Sequence, residues 1–367
     1  MPGTSGWGPQ GPQGPQGPPA YGQPGWPPFP PPHGWAPPPP PPKPGVIPLA
    51  PLGVDQVLGG AFATTRRYAK PLFGTAAAAY GLLAAVMTGA LLLAYAATRD
   101  DFRAMYEPGA TFSWEHGRPL LIAFGTVWAT GMLASLAINS FIQAACAATL
   151  HEAVLGRPTT FRAVWRRAWS RTPAVSAVTL LLALVLVLPL VAFVLLFVAF
   201  FVTLLTDSTL PFGLFFLLFL LVLPLAAWLY VTFAFAPAAA VLESAGPLTA
   251  LRRSARLVRG AWWRTFGISL LAGVIVGIVS LAFRIPLQFA APEPPVVTPD
   301  SDTSEILFDQ LRSQFGLYAI LGLLGTLLTQ LIATVFLPLV TALLYIDRRI
   351  RREGLASSLA EASEVPR

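Results

Sequence analysis

The chain has 367 residues, of which 54% are hydrophobic and only 11% charged, with a net charge of +7 and a pI near 10.0. A soluble domain carries about a quarter of its residues as charges, so this composition excludes an ordinary soluble globular protein. The positive charge stands at the borders of long apolar blocks, with no separate basic helix or aromatic platform, which excludes nucleic-acid recognition as its explanation.

Residues 1–50 read as a cytoplasmic tail rich in Pro, Gly and Gln. Half of the 38 prolines fall within residues 1–44, beside scattered aromatics such as Trp7, Trp26 and Trp35. Such a segment buries too little apolar surface to offset its ordering entropy, and is expected to be disordered with polyproline II character. It serves either as a solvated spacer or as a ligand for a cytoplasmic protein, with the run Pro37–Pro42 suited to an aromatic-lined groove.

Residues 51–354 hold six apolar blocks, at about 71–97, 120–150, 173–205, 212–242, 265–291 and 315–346. Each exceeds the roughly 20 residues a helix needs to cross the hydrocarbon layer. The region 173–242 is broken only at Thr206-Asp207-Ser208-Thr209, and basic segments on both flanks require an even number of crossings. Two long helices satisfy that better than four short ones. A short cytoplasmic tail, 355–367, follows.

Loop charges define sidedness. Within about 20 residues of the span ends, seventeen Lys and Arg residues lie before span one, between spans two and three, between spans four and five, and after span six, against Arg99, Arg103, Arg118 and Arg312 on the other side. The positive-inside rule then places both termini in the cytoplasm. Arginine outnumbers lysine 22 to 2, which points to a GC-rich bacterial genome and hence to a multi-pass protein of a bacterial plasma membrane.

Each odd-numbered span is approached by an amphipathic stretch with i, i+3, i+4 spacing: Val54, Val57, Leu58, Ala61, Phe62; then Phe161, Val164, Trp165, Ala168, Trp169; then Leu248, Leu251, Ala255, Val258, Trp262. These are expected to be interfacial helices, apolar side in the acyl boundary and arginines toward anionic lipid head groups. The candidate head-group contacts are Arg66, Arg67, Arg166, Arg167, Arg252, Arg256, Arg259, Trp262, Trp263 and Arg264. The even-numbered spans close on a carboxylate, Glu152, Glu243 or Asp347, and the elbow cations Lys70, Arg171 and Arg264 recur about every hundred residues. The fold class is therefore all-α: six transmembrane helices as three hairpins, each preceded by an amphipathic helix.

The stretches Leu52–Lys70, Tyr230–Trp263 and Tyr345–Leu355 resemble a family of bacterial, largely actinobacterial, membrane proteins related to the membrane domain that precedes the catalytic barrel of some glycerophosphodiester phosphodiesterases. The resemblance implies the membrane part without the hydrolase. That chemistry needs a metal held by carboxylates and histidines for proton transfer. His33, His116 and His151 are the only histidines, and none lies near two carboxylates in sequence. No catalytic, cofactor or metal site is expected, and the chain reads as a non-enzyme.

No Asp, Glu or Lys lies deep in a span, and Arg284 sits near the outer end of span five. The polar groups that remain are Asn139, Ser140 and Gln143 on span two and Thr329 and Gln330 on span six. Asn139 and Gln143 are four apart and share a helix face, so they can meet Gln330 across the bundle. They form either interhelical hydrogen bonds worth about 0.6 kcal/mol each or a polar patch in a cavity for a lipid head group. Pro189, Pro224, Pro237 and Pro338 interrupt spans three, four and six, as ordinary bends or as the broken helices of a transporter site. The single cysteine, Cys146, has no disulfide partner and suits apolar packing.

Two functions follow as expectations. One is a component that organises or regulates membrane-associated partners through its tail and basic face. The alternative is a transporter or a protein that handles lipids or other amphiphiles. Nothing in the pattern selects an oligomeric state.

Overall fold

The structure, a computed structural model, describes residues 43–106, 113–205, 212–289 and 317–364. The chain divides into two units between Pro40 and Pro41. The first unit, with the expected disorder of the tail, lies outside the described residues, as does the polar turn at 206–209.

Among the described residues every regular element is a helix. This follows from the solvent: hydrocarbon offers no partner to a backbone N–H or C=O, and a helix satisfies both within the segment. Six helices are long and apolar enough to cross a membrane, and the chain is a multi-pass membrane protein.

The elements are α1 (Val54–Arg67), α2 (Ala69–Ala97), α3 (Arg99–Tyr106), α4 (Trp114–Val154), α5 (Phe161–Leu205), α6 (Phe212–Phe233), α7 (Ala236–Leu242), α8 (Pro247–Val258), α9 (Trp262–Phe289), α10 (Leu317–Glu353) and α11 (Leu355–Glu364). Helix α2 packs on α4, α5 on α6 and α7, and α9 on α10, giving the three hairpins, while α4 and α10 also pack on each other. Each even-numbered span stops at a residue with left-handed backbone, Gly156 (φ 73°), Ser244 (φ 55°) or Gly354 (φ 65°), the conformation that ends a helix by turning the next N–H groups back onto it.

Burial is uneven along the spans. The half of each nearest the basic segments is packed: Leu72, Ala76 and Ala79; Phe141 to Val154; Val164 to Val178; Val231 to Val241; Ile268 to Val276; Val335 to Ile350. The opposite halves expose Leu92, Leu93, Trp128, Leu195, Leu221, Phe283 and Leu323. The bundle is thus closed at its basic end and presents apolar side chains to lipid elsewhere.

Three expectations are corrected. The second amphipathic stretch is no separate helix, because 161–205 is one uninterrupted α5 that runs through Pro173, although a proline there removes one backbone hydrogen bond. Span four is two helices, α6 and α7, broken just before Pro237. Residues 44–50 belong to the bundle and not to a solvated tail: Ile47 and Leu52 are fully buried and Leu49 nearly so.

That last segment forms a strap across the basic end. The Val46 N–H donates to the Ala153 carbonyl at 3.1 Å, and the Leu52 N–H to Asp347 Oδ1 at 2.8 Å. Gly45 lies so close to the Ala153 and Val154 carbonyls that a Cβ would collide with both. Helix α1 then starts at Gly53, whose N–H is capped by the Gln56 side chain at 3.0 Å.

Candidate functional site

The amphipathic helices pack on protein more than the sequence indicates. In α1 the buried residues are Val57, Gly60, Ala61 and Thr64, while Val54 and Phe62 are exposed. In α8 they are Ala250, Ser254, Leu257 and Val258, with Leu248 exposed. The apolar stripe is real, but rotated toward the bundle, because the strap and the ends of the even spans offer apolar surface on that side.

The closing carboxylates each find a basic partner in an elbow. Glu152 pairs with Arg167 at 3.0 Å, Glu243 with Arg253 at 3.0 Å, and Asp347 with Arg264 and, at 2.9 Å, Arg351. Arg264 and Arg351 also donate to the Leu52 carbonyl, at 2.7 and 2.8 Å. Arg253 reaches Glu353 at 2.6 Å as well, and Glu243 accepts from the Tyr345 hydroxyl. Burial raises the Glu243 carboxyl, but hydrogen bonds from Arg253 and Tyr345 and the charges of Arg349 and Arg253 outweigh it and hold its pKa below the ordinary carboxylate value.

These contacts divide the candidate head-group residues. Arg66, Arg67, Arg166, Arg252, Arg256, Arg259 and Trp263 are exposed. Arg264 is an internal group, committed to the buried Asp347 and to Leu52, and Arg167 is committed to Glu152. Trp262 is half-buried and stacks on Phe266 at 5.1 Å, so it packs inward instead of lying in a head-group layer. The sequence shows an arginine at every elbow; which of them face a carboxylate depends on helix rotation.

The intramembrane polar cluster is gathered. Asn139 and Gln143 on α4, Thr179 and Leu182 on α5, Tyr230 and Phe233 on α6 with Pro237 on α7, and Gln330, Thr334, Leu337, Pro338 and Thr341 on one face of α10 line a cavity of about 320 Å³. It forms where the second hairpin and α10 diverge above their packed basic ends. Gln330 is exposed at its rim, about halfway along α10, so in a bilayer the opening faces the acyl chains.

Asn139 and Gln330 meet through a residue the sequence reading missed. The Tyr80 hydroxyl on α2 donates to Asn139 Oδ1 at 2.9 Å and accepts from Gln330 Nε2 at 3.4 Å. A tyrosine in the middle of an apolar block was its only signal. Ser140 lies outside the lining: fully buried, it donates to the Leu136 carbonyl at 2.7 Å and toward Thr179 Oγ1 at 3.3 Å. Cys146 is buried in the core near the Val335 carbonyl.

Of the four span prolines, two border the cavity, Pro237 and Pro338. Helix α10 runs through Pro338, whereas the chain between α6 and α7 leaves the helical path. Ser254 of α8 repairs that break: its hydroxyl accepts from the Phe235 N–H at 3.1 Å and donates to the Thr232 carbonyl at 2.8 Å. Non-helical backbone at membrane depth is thereby paired inside protein.

The fold and this site define a six-span helical membrane protein with a largely apolar cavity that carries a few amide and hydroxyl groups. A family model described as Domain of unknown function (DUF7847) matches residues 53–346, most of the chain, and the protein belongs to that family. No curated protein and no solved structure matches it.

Proposed function

We propose that the protein binds a membrane amphiphile in the cavity between α4, α5, α6–α7 and α10, as a lipid-handling or transport component and not as an enzyme. The observation that carries this reading is the cavity itself, which gathers Asn139, Gln143 and Gln330 within the spans, with Gln330 exposed at its edge. A volume of about 320 Å³ falls at the low end of ligand sites, which run from about 300 Å³ upward. It suits a head group and the start of a chain. The broken span four and Pro338 at its edge support a site able to change shape. The resemblance of the elbows to a membrane domain found beside glycerophosphodiester phosphodiesterases is compatible with such a role.

The protein is oriented with its basic end in the cytoplasm of a bacterial plasma membrane, where the exposed Arg66, Arg67, Arg166, Arg252, Arg256 and Arg259 contact anionic head groups. A second reading is an organiser of cytoplasmic partners through the Pro-rich segment, which precedes a strap whose Val46 and Leu52 bond to α4 and α10.

Native mass spectrometry tests the main reading. Protein released from membranes should retain a tightly held lipid, and Trp in place of Ala333, a small lining residue of α10 (Ala333→Trp), should abolish it by filling the cavity, while Leu323→Trp on the exposed half of α10 should not. Equal lipid retention in all three would refute the site.

A further inference from the structure

The chemistry of the cavity wall restricts what fits it. None of the described side chains lining it is charged. The carboxylates Glu243 and Asp347 lie six residues beyond Pro237 and Thr341 and are occupied with Arg253, Arg264 and Arg351. A phosphate, carboxylate or ammonium entering here would lose its hydration with no opposite charge to meet, which costs several kcal/mol.

Hydrogen-bonding capacity, by contrast, is left over. Gln143 faces the cavity and makes no hydrogen bond with another described residue, leaving two N–H donors and a carbonyl acceptor. Gln330 spends one N–H on Tyr80, and Asn139 one N–H on the Ser135 carbonyl at 2.8 Å. The Thr334 and Thr341 hydroxyls donate to carbonyls of their own helix, Gln330 at 2.7 Å and Pro338 at 3.0 Å, and so turn only lone pairs toward the cavity. The wall thus offers amide donors and several acceptors side by side, and in hydrocarbon no water satisfies them.

We infer that the ligand is an uncharged amphiphile whose head group both donates and accepts hydrogen bonds, a hydroxyl- or amide-bearing lipid, with Gln143 as its principal contact and its chain leaving past Gln330 into the bilayer. This rests on the amphiphile-binding reading above. Gln143 supplies two-way pairing to a hydroxyl or primary amide; Tyr80 fixes the Asn139 and Gln330 amides so that their remaining donors and acceptors converge on the same space.

The test uses the full-length protein in amphipol, where no sugar-headed detergent competes, and radiolabelled monooleoylglycerol as the probe. Saturable binding is expected, displaced by unlabelled oleamide but not by oleate, oleyl phosphate or oleyltrimethylammonium. Gln143→Leu should weaken it about tenfold, the size of one lost hydrogen bond. Gln143→Glu should admit oleylamine, whose ammonium the new carboxylate can pair and which the wild type excludes, a gain that a merely misfolded variant does not show. If oleate or oleyl phosphate competes as well as oleamide, the neutral head group is refuted while the binding site stands. If no probe binds saturably, both the head-group assignment and the amphiphile reading fail.

Discussion

Asp347, the carboxylate that closes span six, holds the Leu52 N–H at 2.8 Å, so the end of the third hairpin clasps the start of the first. The other two junctions use side chains for the same purpose, Glu152 with Arg167 and Glu243 with Arg253. Each closing carboxylate therefore ties its hairpin to a neighbouring elbow, and the three repeats close into a ring at the basic end.

The junctions differ in burial, and their energies should differ accordingly. Asp347 is fully buried, whereas the Glu152–Arg167 pair is half exposed on its arginine. Asp347→Ala leaves Arg264 and Arg351 without their counter-charge and should cost about 3–5 kcal/mol. Glu152→Ala should cost about 0–1 kcal/mol. Thermal unfolding followed by tryptophan fluorescence in detergent measures both; equal shifts would contradict the assignment of Asp347 as the principal clasp.

Acid should loosen the junction between the second and third hairpins. The Glu243 pKa is lowered in the fold, so the folded state binds fewer protons than the unfolded one. The stability it contributes is full above the unfolded carboxylate pKa and is lost as pH falls through the folded value. The melting temperature should drop across that acidic window, and Glu243→Gln should flatten that part of the profile while lowering stability at neutral pH. A profile unchanged in Glu243→Gln would remove this residue from the linkage.

Ser254 is the sole described partner of two backbone groups at the break in span four. Ser254→Ala leaves both in a buried setting and should destabilise by about 1–3 kcal/mol, with Ser254→Thr recovering part of the loss if its methyl group is accommodated. Denaturant titration of the two variants against wild type checks this; an Ala variant as stable as wild type would show that the break needs no repair.

The strap predicts a local effect. Gly45→Val introduces a side chain where the Ala153 and Val154 carbonyls already lie against the backbone. It should release Ile47 from burial, so that an Ile47→Cys thiol becomes reactive to a polar maleimide in a Cys146→Ala background, while remaining protected when Gly45 is present. Protection in both would mean that the strap docks without needing that close approach.

Span number, hairpin order and the gathering of Asn139, Gln143 and Gln330 were legible in the sequence, because length and apolarity set the spans and a four-residue spacing sets a helix face. The uninterrupted α5 and the two-piece span four were not. Span four can break between α6 and α7 because Ser254, distant in sequence, pairs the Phe235 N–H and the Thr232 carbonyl, with Pro237 standing in the first turn of α7, whereas α10 passes Pro338. The strap was hidden by composition, since Pro44, Gly45 and Pro48 resemble the tail before them although Ile47, Leu49 and Leu52 supply its apolar contacts. Tyr80 was overlooked because its role depends on the rotation of α2 against two other spans.

The cavity is most directly tested by a benzophenone amino acid placed at Phe233, which lines it, and at Leu221, which is exposed on the same helix. Irradiation in native membranes, followed by mass spectrometry of the adducts, should give one dominant lipid species at position 233 and a mixture matching the bulk membrane at position 221. The same bulk mixture at both positions would contradict a selective site between these helices.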